Sequence, residues 1–309
     1  MKPAAKAYVQ IHVCVVLWGF TSILGKVIAL PAPALVLWRM LLVAGWLSFV
    51  PRVWRGCRGL PVRRLAAYAA TGALIAFHWL MFYEAIKLAN ASVAATCLAL
   101  APVFLALVEP LLNRRPFDAR ELIVGIAVIP GVALVVGGTP TSMRPGYFAG
   151  VASALLAAAF NACNKRLIGE GTNAERGRST IDPLAVTYIE IGVGACVLLL
   201  VAPCLPHSGS FLPIPSPKDA ALLVVLSALC TLLPFTLALM ALEHLSAFSV
   251  QLAVNLEPVY AVLLAIVLLG EQKELGVAFY CGGAVVVGAV FAQSWLARGP
   301  RAVARDRTA

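Results

Sequence analysis

One apolar run, QLAVNLEPVYAVLLAIVLLGEQKE from Gln251 to Glu274, carries a carboxylate and a proline near its middle. A transmembrane helix needs about 20 apolar residues, each advancing it by about 1.5 Å, and this run is long enough. A helix beginning near Ala247 sets Glu257 about 15 Å in, close to the bilayer midplane. An ionised carboxylate at that depth costs about 2.5–3.5 kcal/mol on insertion scales, so it implies a partner or a task. Pro258 removes a backbone donor and frees a carbonyl beside it. Discontinuous membrane helices of this kind line binding cavities.

The rest of the chain repeats the constraint. Ten apolar runs of spanning length fall near residues 8–28, 33–51, 65–86, 91–112, 121–138, 146–168, 183–203, 219–241, 247–269 and 275–296. Only 12% of the 309 residues are charged, against about 25% in ordinary soluble domains, and ten spans leave no room for a soluble domain. The formal charge of +10 is explained by placement. With the N-terminus in the cytoplasm, 18 of the 24 Lys and Arg fall on inner segments, from Lys2 and Lys6 through Arg52, Arg64, Arg114 and Arg178 to Arg307. That asymmetry is the positive-inside rule, so both termini are expected in the cytoplasm and no nucleic-acid partner is implied. The eight cysteines form no CxxC and no His-spaced set, so neither a metal nor a disulfide framework is expected. The first run resembles a signal peptide, but Lys26 follows it with no clear cleavage site, and it is read as a retained first helix.

An internal repeat organises the spans. At a constant offset, Ala85, Ala91, Leu100, Pro102, Val103 and Leu107 recur as Ala241, Ala247, Leu256, Pro258, Val259 and Leu263. With one residue of slip, Gly125 and Gly131 match Gly282 and Gly288. The expected fold is an all-α membrane protein of ten transmembrane helices in two five-helix repeats, residues 1–140 and 145–297, followed by a basic cytoplasmic tail, 298–309. Five is odd, so the halves are expected to be inverted, the architecture of alternating-access carriers.

WGFTSILGK in the first helix, Arg39 in the second, HWLMFYEAIKLANAS in the third and NLEPVYAVLLAIVLLGE in the ninth together resemble the drug/metabolite transporter superfamily, in particular its EamA-type ten-helix branch. The resemblance runs through nearly the whole chain in order. It implies a bacterial inner-membrane carrier with a central pocket between two repeats, moving amino acids or other small metabolites, usually outward. One departure stands out: the family's first repeat ends its fourth helix with Gly-Glu, where this chain has Arg114-Arg115 and an earlier Glu109-Pro110.

Several polar residues inside spans are candidates for the pocket. Glu257 is read as a proton carrier, a partner for a cargo ammonium, or a prop for the helix around Pro258. Gln251 and Asn255 are four apart on one face, and Tyr260 extends it. Asn161 and Asn164 form a stripe with Lys165, serving cargo or helix packing. Glu190, about 10 Å into the seventh helix, needs a partner. His78 is a proton relay or a packing residue, and Trp18 a stacking platform or core. Lys26 and Arg39 are placed at an outer vestibule, Glu84 and Lys87 in a local ion pair, and Glu271 and Glu274 on a solvated turn. The expected partners are a small-molecule substrate, the lipid bilayer and a coupling proton. No cofactor is expected, and the oligomeric state stays open between monomer and homodimer. GxxxxGK[ST] is absent, so a gradient or exchange would drive transport. An intramembrane lipid-modifying enzyme would need a clustered nucleophile and base or a metal set, which the sequence lacks. A channel or scramblase on the same repeat is the other alternative.

Overall fold

The computed structural model describes residues 3–58, 60–113, 117, 119–174, 182–205, 210–242, 244–245, 250 and 253–296. Gln251, Arg114, Arg115 and the tail 298–309 lie outside the described residues. Among the described residues the chain is helical, without strands. The helices are α1 (Pro3–Val27), α2 (Ala32–Ser48), α3 (Pro51–Cys57), α4 (Val62–Leu88), α5 (Ala91–Leu98), α6 (Ala101–Asn113) and α7 (Ala119–Gly138). After them come α8 (Arg144–Ala174), α9 (Pro183–Val201), α10 (Pro217–Ser227), α11 (Leu233–Leu242), α12 (Glu257–Leu269) and α13 (Val277–Leu296). A π-helical turn, Ala228–Leu232, joins α10 to α11.

Among the described residues, length and apolarity make six units able to cross a membrane: Ala5–Val27, Val62–Leu88, Ala91–Leu112, Thr141–Leu167, Pro183–Cys204 and Pro217–Phe235. The pair α2 and α3, bent by 92°, makes a seventh if it is taken as one span. Three further apolar helices, Ala127–Gly138, Glu257–Leu269 and Val277–Ala289, are shorter than a full span. Large exposed apolar residues such as Leu111, Leu200 and Val267 stud the helix faces, the surface that a lipid-solvated protein presents.

Local chemistry sets the breaks. Proline opens α2, α3, α9 and α10, where its missing N–H is no loss. Asn90, Asp182 and Ser216 cap α5, α9 and α10 through side-chain oxygens that accept from Val93, Leu184 and Asp219 amides at 3.0, 3.0 and 3.1 Å. The repeat appears here at atomic detail. In the first half, the Leu100 amide turns back to Cys97 at 3.0 Å and the Phe104 amide returns to Leu100 at 3.0 Å. In the second, Leu256 bonds Ala253 and Tyr260 bonds Leu256, also at 3.0 Å each. Pro102 and Pro258 each stand second in the helix after the break, where each removes one i→i−4 bond. The expected single ninth span is thus interrupted at Asn255 and Leu256.

Packing pairs α2 with α9 and α7 with α13, matching elements of the two halves, while α5 lies on α12, whose own counterpart is α6. In the same way α1 packs on α12, and α8 on α5 and α6. The largest core cluster joins α2, α4, α9 and α10 around Leu35, Met40, Tyr83, Leu198 and Leu223. A second joins α1 to α11 and to residues just before α12. The helix ends fall into two sets, called below the Lys26 end (residues near 28, 90, 140, 215 and 270) and the Arg52 end (near 52, 112 and 182).

Candidate functional site

Arg39, expected at an outer vestibule, is instead buried at 5% exposure. It is the eighth residue of α2, about 10 Å from the Lys26 end by helical rise. Its Nε and Nη2 donate to the Thr231 hydroxyl at 3.1 and 2.9 Å, and Nη1 donates to the Tyr83 hydroxyl at 2.9 Å. The guanidinium carbon lies 3.9 Å from the centre of the Trp79 ring, within cation–π range. The π-turn is what presents Thr231: its hydroxyl donates to the Leu226 carbonyl at 2.9 Å, which leaves its lone pairs for the arginine. Three of the five guanidinium N–H groups are therefore used, all on neutral oxygens. No carboxylate among the described residues ion-pairs with Arg39.

Glu257 is the first residue of α12, so its carboxylate meets the positive end of that helix. It is half-buried and makes no hydrogen bond or ion pair with a described residue, while the field of Arg39 reaches it. Tyr260, one turn on, shares a hydrogen bond with His12 Nδ1 of α1 at 3.1 Å. Trp18 and Tyr260 both pack on the cluster joining α1 to α11. His12 was not singled out above, although a histidine within the first apolar run was itself a signal. Asn255 sits in the break before α12.

The remaining candidates separate from this group. His78 is buried, and its Nδ1 lies 2.9 Å from both the hydroxyl and the carbonyl of Ser153, whose hydroxyl donates back to the His78 carbonyl at 3.1 Å. That reciprocal pair fastens α4 to α8. Asn161 bonds its own helix, donating to the Ala157 carbonyl at 2.9 Å, and its side is exposed. Asn164 instead turns toward Glu190 of α9, as its hydrogen-bonding neighbour. Lys165 pairs with Glu109 at 2.6 Å.

The lysines at the Lys26 end hold helix termini. Lys26 donates to the Ala89 carbonyl at 3.2 Å, and Lys87 donates to the Ile28 carbonyl. Each lysine thus caps the other's helix, where a cation suits the dipole. Lys87 makes no ion pair with Glu84 within 4 Å. The expected solvated turn is also different. Gly270 ends α12 at φ 71°, a left-handed position that favours glycine, and the chain then buries Glu271 to 1% exposure. The two Glu271 oxygens accept from the Ala91 and Ser92 amides at 2.9 and 2.8 Å, capping α5 in the other half, while Glu274 accepts from Asn90 Nδ2 at 2.9 Å.

An all-helical, multi-pass membrane chain built from two like halves, with buried opposite charges between its helices, belongs to the class of membrane transporters. The chain belongs to the EamA-like transporter family, which matches residues 5–137 and 144–294. A relative from Bacillus subtilis (strain 168), described as "Uncharacterized transporter YxxF", is 25% identical over 207 residues, 67% of this chain and 63% of the relative. The chain therefore spans less than two thirds of that relative's length. A solved structure, described only as "Crystal structure of protein", superposes with a TM-score of 0.59 over 95% of this chain and 98% of its own, at 16% identity. That likeness is one of fold.

Proposed function

We propose that the protein is a secondary carrier of amino acids or closely related zwitterionic metabolites, working by alternating access between two inverted five-helix repeats. The observation that carries this reading is the couple of buried Arg39 and half-buried Glu257, which form no ion pair with each other. A guanidinium with two unused N–H donors and a carboxylate at a helix start feel each other's field without closing an ion pair. A cargo with its own carboxylate and ammonium completes both, because charge-assisted hydrogen bonds in a dry site are the strong ones. Counting the three short apolar helices as spans gives ten, and the Lys/Arg asymmetry then sets the Lys26 end outside and the Arg52 end, with both termini, in the cytoplasm. The membrane is the bacterial inner membrane, and the direction is export, driven by a proton gradient or exchange.

A thermal-shift screen on the purified protein tests the reading. Amino acids are expected to stabilise it, whereas the matching amines, carboxylic acids and N-acylated derivatives are not. Equal stabilisation by sugars or nucleosides would reject the zwitterion assignment.

A further inference from the structure

Glu190 is the eighth residue of α9, about 10 Å from the Arg52 end by its rise, and is 6% exposed. Its Oε1 has no hydrogen-bond partner, and neither does the buried Oδ1 of its neighbour Asn164. The Asn164 amide acts on the carboxylate as a donor, yet it serves neither of these two atoms: both only accept when the glutamate is ionised, so no hydrogen lies between them. No cation among the described residues compensates. Arg39, the one ionisable residue of α2, is held by Tyr83 and Thr231. On α3, Arg52 pairs with Asp182; Arg55 and Cys57 complete its ionisable residues. On α8, Lys165 pairs with Glu109 and Arg166 donates to the Leu112 carbonyl. From α4 the titratable neighbour is Tyr68, with Arg64 acting on that phenol. Beside it α4 and α9 cross at their backbones: a Cβ added to Gly72 would stand 2.9 Å from the Glu190 Cα.

We infer that Glu190 and Asn164 form a proton-binding site, in which the Glu190 carboxyl carries one hydrogen and donates it to the Asn164 side-chain oxygen. One proton taken from water forms one O–H bond, removes the buried charge and gives both orphan acceptors a shared hydrogen. Release returns that proton to water and leaves a carboxylate that requires a further donor or solvent, so unloading is tied to admission of water or a donor between α8 and α9, both of which pack on α4. The site deepens the carrier reading by placing the coupling proton away from the Arg39 and Glu257 couple, and its use in transport rests on that reading.

Infrared difference spectroscopy on the full-length protein in lipid tests the site without transport. At neutral pH the wild type is expected to show a protonated carboxylic C=O band that disappears in Glu190→Gln. In Asn164→Leu, where the hydrogen bond is lost, the same band is expected to move to higher frequency. Identical carboxylic bands in wild type and Glu190→Gln would overturn the site, as would an unmoved band in Asn164→Leu, which decides the matter even if the glutamine variant folds poorly. Bleaching of the band by added sodium chloride, at constant pH, would also overturn it, since the two oxygens would then be holding a metal cation. In reconstituted vesicles, Glu190→Gln is expected to lose proton-driven accumulation. Vesicles in which even the wild type moves no amino acid would count against the carrier reading, while the infrared result would still decide the proton site.

Discussion

Among the described residues four charged side chains are buried: Arg39, Asp219, Glu271 and Glu190. The first three lie toward the Lys26 end and are saturated in the sense that none of their buried side-chain nitrogen or oxygen atoms lacks a partner. Arg39 has Thr231 and Tyr83, Asp219 accepts from the Ala29 amide at 3.0 Å and from the Ser216 hydroxyl at 3.0 Å, and Glu271 holds two amides of α5. Glu190, toward the Arg52 end, keeps an oxygen without a partner. The contrast is sharper because Arg39 and Glu190 stand at the same position, eighth in the corresponding helices α2 and α9. The same place in two like halves thus holds a fixed cation in one and an incompletely bonded acid in the other. A saturated buried charge holds structure or waits for a counter-charge. An unsaturated one changes its protonation, because a lone buried carboxylate is too costly to keep ionised.

The largest effect expected from disturbing this contrast is at its cationic pole. Arg39→Gln removes a charge aimed at cargo, and truncating one partner of a desolvated charge pair costs about 2–5 kcal/mol of binding. Affinity for amino acids should fall at least about thirty-fold in an equilibrium binding assay, since about 1.4 kcal/mol is a factor of ten. Stability should change less than binding, because the lost hydrogen bonds are offset by relief of the buried charge. An unchanged affinity would leave Arg39 with a purely structural role and remove the functional meaning of the contrast.

Next in size is the anionic clasp. Glu271→Ala strips the cap from α5 and leaves the Ala91 and Ser92 amides buried without acceptors, at a cost of about 2–3 kcal/mol. A lower melting temperature in detergent is expected, with little change in cargo affinity when both are measured at low temperature. Glu271→Gln, which keeps one acceptor, should lie between. A wild-type melting temperature in Glu271→Ala would mean that the saturated end does not depend on its bonds.

The sequence carried the architecture well and the pairings poorly. The offset relating Pro102 to Pro258 marked the places where two spans, each expected as a single helix, break with matching turn hydrogen bonds, because a missing N–H acts locally wherever proline falls. Glu271 was misread as solvated, since its partners are backbone amides about 180 residues earlier and no side-chain pattern announces a main-chain acceptor. Arg39 could be assigned a depth but not a rotation about the axis of α2, so a cage built from two other spans stayed hidden. Asn164 and Glu190 were each visible as polar residues in apolar runs. Their meeting depends on how α8 and α9 each lie on α4, which helical periodicity alone leaves open.

The last comparison is the most discriminating. Glu190→Gln replaces an acid by an amide of nearly equal shape, so the two accounts of this residue predict different pH dependences. If Glu190 were ionised in the fold as it is in the unfolded chain, the substitution would abolish a buried, uncompensated charge and raise stability by more than about 1 kcal/mol, by the same amount at every pH above the unfolded titration. If it carries a proton, the glutamine NH2 replaces the carboxyl O–H as donor to Asn164 Oδ1, and the two proteins match only in acid, where the unfolded carboxyl is protonated too. Above the unfolded value of about 4.3 folding takes up a proton. The wild type should therefore lose about 1.4 kcal/mol per pH unit relative to Glu190→Gln until the folded carboxyl itself ionises, after which the difference is constant. Parallel unfolding curves for the two proteins from acid to alkaline pH would show that Glu190 does not titrate in the fold, and its likeness to the saturated charges at the other end would then be the better account.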